Sequence, residues 1–306
     1  MTDAVGMIGL GVLGSAIALN LTKEGSQVVG FDIDPAACAR AADDGVTIAS
    51  SVVDVARSAP VVITCLPNAA NVQTALSPQG GLTEARQDGQ IIIEMSTLSV
   101  ADKEALRELC AANGNFRVLD CPVSGNRSMA LKKGLTAFAS GTRADFDNVE
   151  QILLKFCKKA HYVGAFGAGT KTKLAGNILN LVHNAVAAEV MVLAMKSGLD
   201  PKVFHEVISG SGSSSAMFEN RGALMVADHY ESGGQNYSTP IKDAPTITDH
   251  AAAFECPTPI YQVALQQYRA AVAQGLGHLD PASVCRAAER AANFERLPAN
   301  GSGRGS

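Results

Sequence analysis

An apolar strand that runs straight into three spaced glycines and then into a helix leaves a chain few folds to choose from. Residues 4–23, AVGMIGLGVLGSAIALNLTK, have this order, with Gly9-Leu10-Gly11-Val12-Leu13-Gly14 at the turn. Gly9 permits the tight turn, Gly11 lets a phosphate approach the backbone, and Gly14 lets the helix pack closely on the strand. The helix start adds N–H groups and a partial positive charge, which suit a pyrophosphate. Isolated glycine patterns are common; here a second strand, Gln27 to Phe31, follows and ends in Asp32. Asp32 lies 18 residues past Gly14, close to the ~20 expected of a carboxylate that holds ribose hydroxyls. Gly9, Leu10, Gly11, Val12, Leu13, Gly14 and Asp32 are therefore predicted to bind a dinucleotide. Glycine used only for packing is the competing reading.

The second strand continues Phe31-Asp32-Ile33-Asp34-Pro35. A 2′-phosphate needs a nearby arginine, and two carboxylates would repel it, so NAD is expected over NADP. Asp34 reads as the cap of a helix begun by Pro35, which leaves Asp32 as the ribose ligand.

The first half alternates short β-branched runs with helical stretches. Strands are predicted at 5–8, 28–31, 46–48, 61–66, 91–94, 117–119, 136–139 and 161–163. Continuous runs such as Ile91-Ile92-Ile93 suit strands covered on both faces. This alternation predicts an α/β Rossmann domain, a doubly wound and mostly parallel sheet, over residues 1–165. After Gly164 the pattern becomes helical. Residues 170–197 contain no proline and one interior glycine, Gly176, before Gly198. A helix of that length is about 42 Å at ~1.5 Å per residue, long enough for an inter-domain spine. Residues 166–298 are expected to form an all-α domain for substrate binding and oligomerisation. Asp200-Pro201 and Asp280-Pro281 read as helix caps followed by proline. Residues 299–306, and Pro298 before them, form a small, polar, glycine-rich tail expected to be disordered.

Composition narrows the function. The chain has 306 residues, a net charge of −4 and 47% hydrophobic residues, which argues against a nucleic-acid surface. Lys155, Lys158 and Lys159 read as a solvated helix face. No apolar run reaches a membrane span, and Met1-Thr2-Asp3 lacks a basic signal-peptide start. Seven scattered cysteines without CxxC spacing read as small buried residues in a reducing compartment, so a cytoplasmic location is expected. His183, His205, His229, His250 and His278 make no HExxH or similar spacing, and no metal is expected.

Loops after strands carry the remaining candidates. Cys65-Leu66-Pro67-Asn68 and Ser96-Thr97 follow the fourth and fifth strands at their carboxyl ends, where ligands lie in open sheets. Leu66, Pro67 and Thr97 are read as cofactor contacts, with simple turns as the alternative. In Asp120-Cys121-Pro122-Val123-Ser124-Gly125-Asn126, the N–H groups near Ser124-Gly125 and the Ser124 hydroxyl suit a carboxylate. A structural turn is the competing reading. On the long helix Lys173 and Asn177 are four apart on one face, and Asn180 and Asn184 extend the stripe. A lysine bordering a cleft can exchange a proton with a hydroxyl becoming a carbonyl, provided desolvation lowers its pKa from ~10.4.

Taken in order, these segments resemble the β-hydroxyacid dehydrogenase family, the group of 3-hydroxyisobutyrate, tartronate semialdehyde and threonate dehydrogenases. The likeness runs from about Val5 to Arg290. Ile8 to Gly14 resembles its cofactor motif, Asp120 to Gly125 its substrate motif, and Gly167 to Asn177 its catalytic motif. The resemblance implies Lys173 as acid/base, Asn177 as a substrate-orienting amide, and Ser124, Gly125 and Asn126 around the substrate carboxylate. Lys242-Asp243 resembles the family's Lys-Asp pair from the helical domain and places Lys242 with the cofactor. Gly275-Leu276-Gly277 with Asp280 resembles a structural family turn. The chain departs from the family at Asn126, where a second glycine is usual, and at Gly176, where a second asparagine is.

The implied function is NAD-dependent interconversion of a small 3-hydroxy acid and its semialdehyde or keto acid, in a homodimer or homotetramer. An imine reductase-like enzyme and a non-enzymatic NAD-binding scaffold or sensor are the alternatives. The lysine at position 173 speaks against the first, and a lysine–asparagine pair against the second.

Overall fold

The computed structural model describes residues 4–85, 88–232 and 235–296. The tail expected to be disordered lies outside the described residues. The chain forms two compact units that divide between Gly176 and Asn177.

The first unit opens with β1 (Ala4–Ile8), α1 (Val12–Lys23), β2 (Gln27–Phe31), α2 (Pro35–Asp43) and β3 (Thr47–Ile48). Next come α3 (Val52–Ser58), β4 (Val61–Thr64), α4 (Ala69–Leu76), β5 (Ile91–Glu94), α5 (Val100–Asn113) and β6 (Arg117–Asp120). These six strands make one all-parallel sheet in the order β3-β2-β1-β4-β5-β6. The order reverses between β1 and β4, the crevice where open sheets of this kind bind ligands.

Strand residues alternate between two cores because side chains alternate across the pleat. Val5, Met7, Ile63, Ile91 and Ile93 join Ile17 and Leu21 of α1 in one. Ile8, Val62 and Ile92 join Val72 and Leu76 of α4 and Leu106 of α5 in the other. Both faces are covered, as the continuous isoleucine run predicts.

A second, three-stranded sheet holds β7 (Val123–Ser124), β8 (Leu135–Ala139) and β9 (Cys157–Tyr162). Helices α6 (Arg127–Leu131) and α7 (Arg143–Leu154) precede β8 and β9. The late strands expected at 136–139 and 161–163 therefore build a separate sheet rather than extending the first. Strand β7 pairs antiparallel with β8 and was not anticipated, since two residues carry too little periodicity. Lys158 and Lys159 are exposed on β9, an edge strand, and Lys155 caps α7. The expected helix face is thus a charged sheet edge, which discourages pairing with other chains.

Helix α8 (Ala168–Lys196) begins in the first unit and continues into the second. It corrects the expectation that nothing here is apolar enough to span a bilayer. An 18-residue window has mean hydropathy 1.7, and 44% of that window is buried within the protein. A core helix meets the same criterion as a span. The second unit continues with α9 (Pro201–Ile208), α10 (Ala216–Ala227), α11 (Ser238–Ala253), α12 (Pro259–Ala271) and α13 (Val284–Ala291). Asp200 and Asp280 cap their helices ahead of proline, as the sequence predicts. Asn184 is not part of an exposed stripe: it is buried, and its Nδ2 donates to Tyr268 Oη at 2.6 Å and to the Pro281 carbonyl at 3.0 Å.

The cysteines are all free. Burial pushes the Cys110, Cys157 and Cys285 thiols up to about 12 and Cys121 well above its usual value. Cys38 and Cys65 are half-buried, and Cys256 departs furthest from the expected burial and is exposed.

Candidate active site

The glycine turn has the geometry of a ligand cradle. Gly9 has φ +96°, and a Cβ there would lie 2.4 Å from the Cys65 carbonyl oxygen. The turn is thus pressed against the loop after β4, which brings Leu66 beside it. A Cβ on Gly14 would lie 2.0 Å from the Gly9 carbonyl oxygen, so strand and helix touch through bare backbone. At Gly11 a Cβ would meet nothing within 4 Å. Open space stands over the glycine expected from sequence to let a phosphate approach. Gly11 is also the cap of α1, offers no side-chain hydrogen bond, and no acid occupies the first turn. Its amide end is left to an anion. These residues fit a dinucleotide pyrophosphate. Leu10 is buried, Leu13 half-buried, and Val12 is exposed at the mouth.

Asp32 holds this cradle as well as facing it. Its Oδ2 accepts the Leu10 N–H at 2.6 Å and its Oδ1 accepts the Asp34 N–H at 2.9 Å. Each carboxylate oxygen has a second lone pair with which to receive a ribose hydroxyl. Asp34 caps α2, accepting from the Ala36 N–H at 3.0 Å. Arg40, which sequence spacing did not bring forward, comes within 3.8 Å of Asp34. Arg127 likewise carries no motif signal in the sequence. Its Nη1 donates to the Val12 carbonyl and the Ser15 hydroxyl, each at 2.7 Å. It borders an open groove of about 440 Å³ that also includes Gly11, Val12, Ser15 and Arg40.

At the carboxyl ends of β5 and β6 lies a buried charge cluster. Lys103 of α5 is 1% exposed and forms ion pairs with Glu94, and with Asp120 at 3.0 Å. Burial opposes its charge, but the two carboxylates outweigh that and hold the ammonium above its usual value. Glu94 Oε1 accepts the Ser96 N–H at 2.9 Å, and Ser96 Oγ accepts the Leu66 N–H at 2.9 Å. Asp120 accepts from Thr170 twice: from its N–H at 2.7 Å and from its hydroxyl at 2.8 Å. Ser140 Oγ donates to Asp120 at 3.1 Å and accepts the Gly169 N–H at 2.9 Å. Asp120 therefore holds the first turn of α8, and Lys173 stands one turn further along it.

Asp120 is also where the chain enters Cys121 to Gly125. Ser124 lies in β7, half-buried, paired with Thr136. Gly125 has φ +130°, and a Cβ there would lie 2.5 Å from Leu135 Cδ2. Asn126 caps α6, with Oδ1 accepting from the Met129 N–H at 3.0 Å and the Ser128 hydroxyl at 2.8 Å. Its departure from glycine thus has a local structural role. Thr97 is half-buried beside Ser96.

In the second unit the structure joins three predicted residues. Asn177 Nδ2 donates to Asp243 Oδ2 at 3.2 Å, and Lys242 Nζ lies 3.4 Å from Asp243 Oδ1. Asp243 is buried, whereas Lys242 is 49% exposed. Lys103, Glu94 and the capping role of Asp120 were missed from sequence. A charged residue closing Ile91-Ile92-Ile93 was the one available signal.

Known proteins share this fold. Residues 4–164 match the model for the NAD binding domain of 6-phosphogluconate dehydrogenase. Residues 167–288 match that for the NAD-binding region of NADP-dependent 3-hydroxyisobutyrate dehydrogenase. The chain is 30% identical to 2-(hydroxymethyl)glutarate dehydrogenase of Eubacterium barkeri over 286 residues, covering 94% of this chain and 95% of that one. It is 31% identical to L-threonate dehydrogenase of Cupriavidus necator over 294 residues, covering 94% and 96%. A structure of Mycobacterium tuberculosis 3-hydroxyisobutyrate dehydrogenase with L-serine superposes with a TM-score of 0.85 at 27% identity, covering 94% of this chain and 99% of that one. Fold and site define an NAD(P)-dependent oxidoreductase with a Rossmann domain followed by a helical domain. The chain belongs to the β-hydroxyacid dehydrogenase family and acts on a CH–OH group of a hydroxy acid.

Proposed function

We propose that this enzyme oxidises a small 3-hydroxy acid to its semialdehyde or keto acid with NAD, and that Lys173 is its acid/base. The observation that carries this reading is the shared carboxylate of Asp120. It leads into the substrate motif at Ser124-Gly125 and hydrogen-bonds the start of the helix that bears Lys173. One rigid element thus serves both the group that holds a substrate and the group that moves its proton.

In this reading the Ser124 hydroxyl and the Gly125 backbone hold the substrate carboxylate, with Asn126 shaping the turn around them. Lys173 Nζ takes the proton of the hydroxyl as it becomes a carbonyl, and returns it in the reverse direction. The bound nicotinamide supplies the hydride acceptor. Asn177 gives its Nδ2 to Asp243, so its oxygen orients the hydroxyl or the Lys173 ammonium. Gly9 to Gly14, Leu66, Pro67, Thr97 and Lys242 are the proposed cofactor contacts. NAD is preferred because Asp32 ends β2 where a ribose would bind and Asp34, beside it, lies within 3.8 Å of Arg40. The apolar exposed side chains of the second unit, Leu193, Ile260 and Val263 among them, support the homodimer or homotetramer expected from sequence.

The test is NADH release with 3-hydroxyisobutyrate, glycerate, threonate, 3-hydroxypropionate and β-hydroxy amino acids, repeated with NADP. Lys173→Ala is expected to lower kcat by about a thousandfold or more, within the range of general acid–base catalysis plus lost positioning. Its NAD affinity should stay within about threefold of the wild type on the same reasoning. Native turnover in that variant would remove Lys173 from the mechanism.

A further inference from the structure

We propose that Lys103 is a positioning residue for the reaction. Its buried ammonium joins Glu94 to Asp120 and so locks the first turn of α8, and Lys173 with it, to the loop starts at Leu66 and Ser96. The inference rests on the reading of Lys173 as the acid/base.

Lysine is almost never fully buried unless paired. Other charged residues of α5, such as Arg107 and Glu108, are exposed, whereas Lys103 is sealed among strand ends. A buried ion cluster is weak support for stability, because apolar side chains of similar volume often serve as well or better. What an ion cluster does supply is direction. The Lys103 ammonium also donates to the Glu94 carbonyl at 3.1 Å, so it is held by β5 backbone and by two carboxylates. From Glu94 the bonds run through Ser96 to Leu66, the loop pressed against the glycine cradle. From Asp120 they run to Thr170 and, through Ser140, to Gly169. A single network therefore sets the loops predicted to touch cofactor and the helix predicted to deliver the proton.

Two further observations support this. The cluster holds one cation and two carboxylates, leaving one excess negative charge. The amide end of α8 faces that excess and offsets it. Gly169 is packed so tightly there that a Cβ would lie 2.3 Å from the Phe138 carbonyl oxygen and 2.7 Å from that of Asp120. The helix start has no room to shift without breaking the network.

The groups facing the two carboxylates determine what charge removal does. Glu94 meets Lys103, the Ser96 N–H and, at 3.5 Å, the Thr64 hydroxyl. Asp120 meets Lys103, Thr170, Ser140 and the Cys121 thiol, which burial keeps neutral. Lys103→Met leaves two carboxylates with no cation between them. Their repulsion is then unbalanced, and it grows with the negative charge the pair carries. The wild-type enzyme keeps Lys103 charged.

The experiment measures kcat from pH 6 to pH 9 for wild type, Lys103→Met, the double variant Lys103→Met/Glu94→Gln, and Thr170→Val. It also follows reductive methylation of Lys173 in the ligand-free proteins by peptide mass spectrometry. In Lys103→Met, kcat relative to wild type should fall about tenfold between the ends of the range, and the Lys173 labelling rate should change about threefold. The double variant restores the native net charge, so both readouts should return to within about threefold of wild type. Thr170→Val removes one bond to Asp120 without touching the ion pairs, and should lower kcat about fivefold with unchanged NAD affinity. A flat kcat ratio with native labelling in Lys103→Met overturns the proposal. If that variant does not fold, native kcat and labelling in Thr170→Val overturn it instead. If no hydroxy acid is oxidised by the wild type, the assigned function fails while the labelling arm still decides the role of Lys103.

Discussion

Two helix starts in the first unit are built to opposite ends. At α1 the cap is Gly11, without a side-chain bond, an acid in the first turn or any atom within 4 Å of a would-be Cβ. At α8 the amide end is filled by the protein itself, with Asp120 on Thr170 and Ser140 on Gly169. The helices between them, α2 to α7, are capped by Asp34, Ser51, Asn68, Ser99, Asn126 and Thr142. An amide end left without a partner is a place for a mobile anion; one closed by an internal carboxylate is a fixed support. In the proposed function the first holds a cofactor that comes and goes, and the second holds the helix turn that carries Lys173.

The contrast can be broken in four places. The largest effect is expected at Gly14→Ala, whose Cβ would collide with the Gly9 carbonyl oxygen at 2.0 Å. NAD affinity should fall about a thousandfold, some 4 kcal/mol, in a calorimetric titration. Asp120→Asn comes next. It removes a buried charge from the closed end and should cost about 3 kcal/mol in denaturant unfolding, with NAD affinity lowered far less than at Gly14→Ala because the cradle is reached only through Ser96 and Leu66. Strong loss of NAD binding there would mean that the two ends are not independent. Gly11→Ala should leave unfolding as it is, since its Cβ meets no protein atom, yet weaken NAD about tenfold by occupying ligand space. An unaltered affinity would place the pyrophosphate elsewhere. The smallest effect belongs to Asp34→Ala, an ordinary cap, at about 1 kcal/mol of stability with little change in NAD binding.

Much of the open end is readable from residues alone. The glycines, the flanking strands and the carboxylate ending β2 lie within one short stretch of chain, and each has a local steric or electrostatic reason. The caps at Asp34, Asp200 and Asp280 are legible for the same cause, because a side chain bonds an amide two residues away. The closed end is otherwise. Thr170 and Asp120 are 50 positions apart, and Lys103 meets both Glu94 and Asp120 from a helix whose Arg107 and Glu108 face water. Asn184 reads as one more polar residue in a stripe until burial joins it to Tyr268. The lysines of β9 read as a helix face because short edge strands have little pattern of their own.

By itself the chain determined the order of most strands and helices, a glycine turn suited to a dinucleotide and the spacing of Lys173 and Asn177, since these depend on neighbours a few residues apart. Only the tertiary structure decided that Asp120 would carry the start of α8, that a lysine would be buried beside it, and that Asn177 would meet Asp243. Those pairings are made between segments distant in sequence. Their strength comes from exclusion of water, which no local pattern of residues encodes.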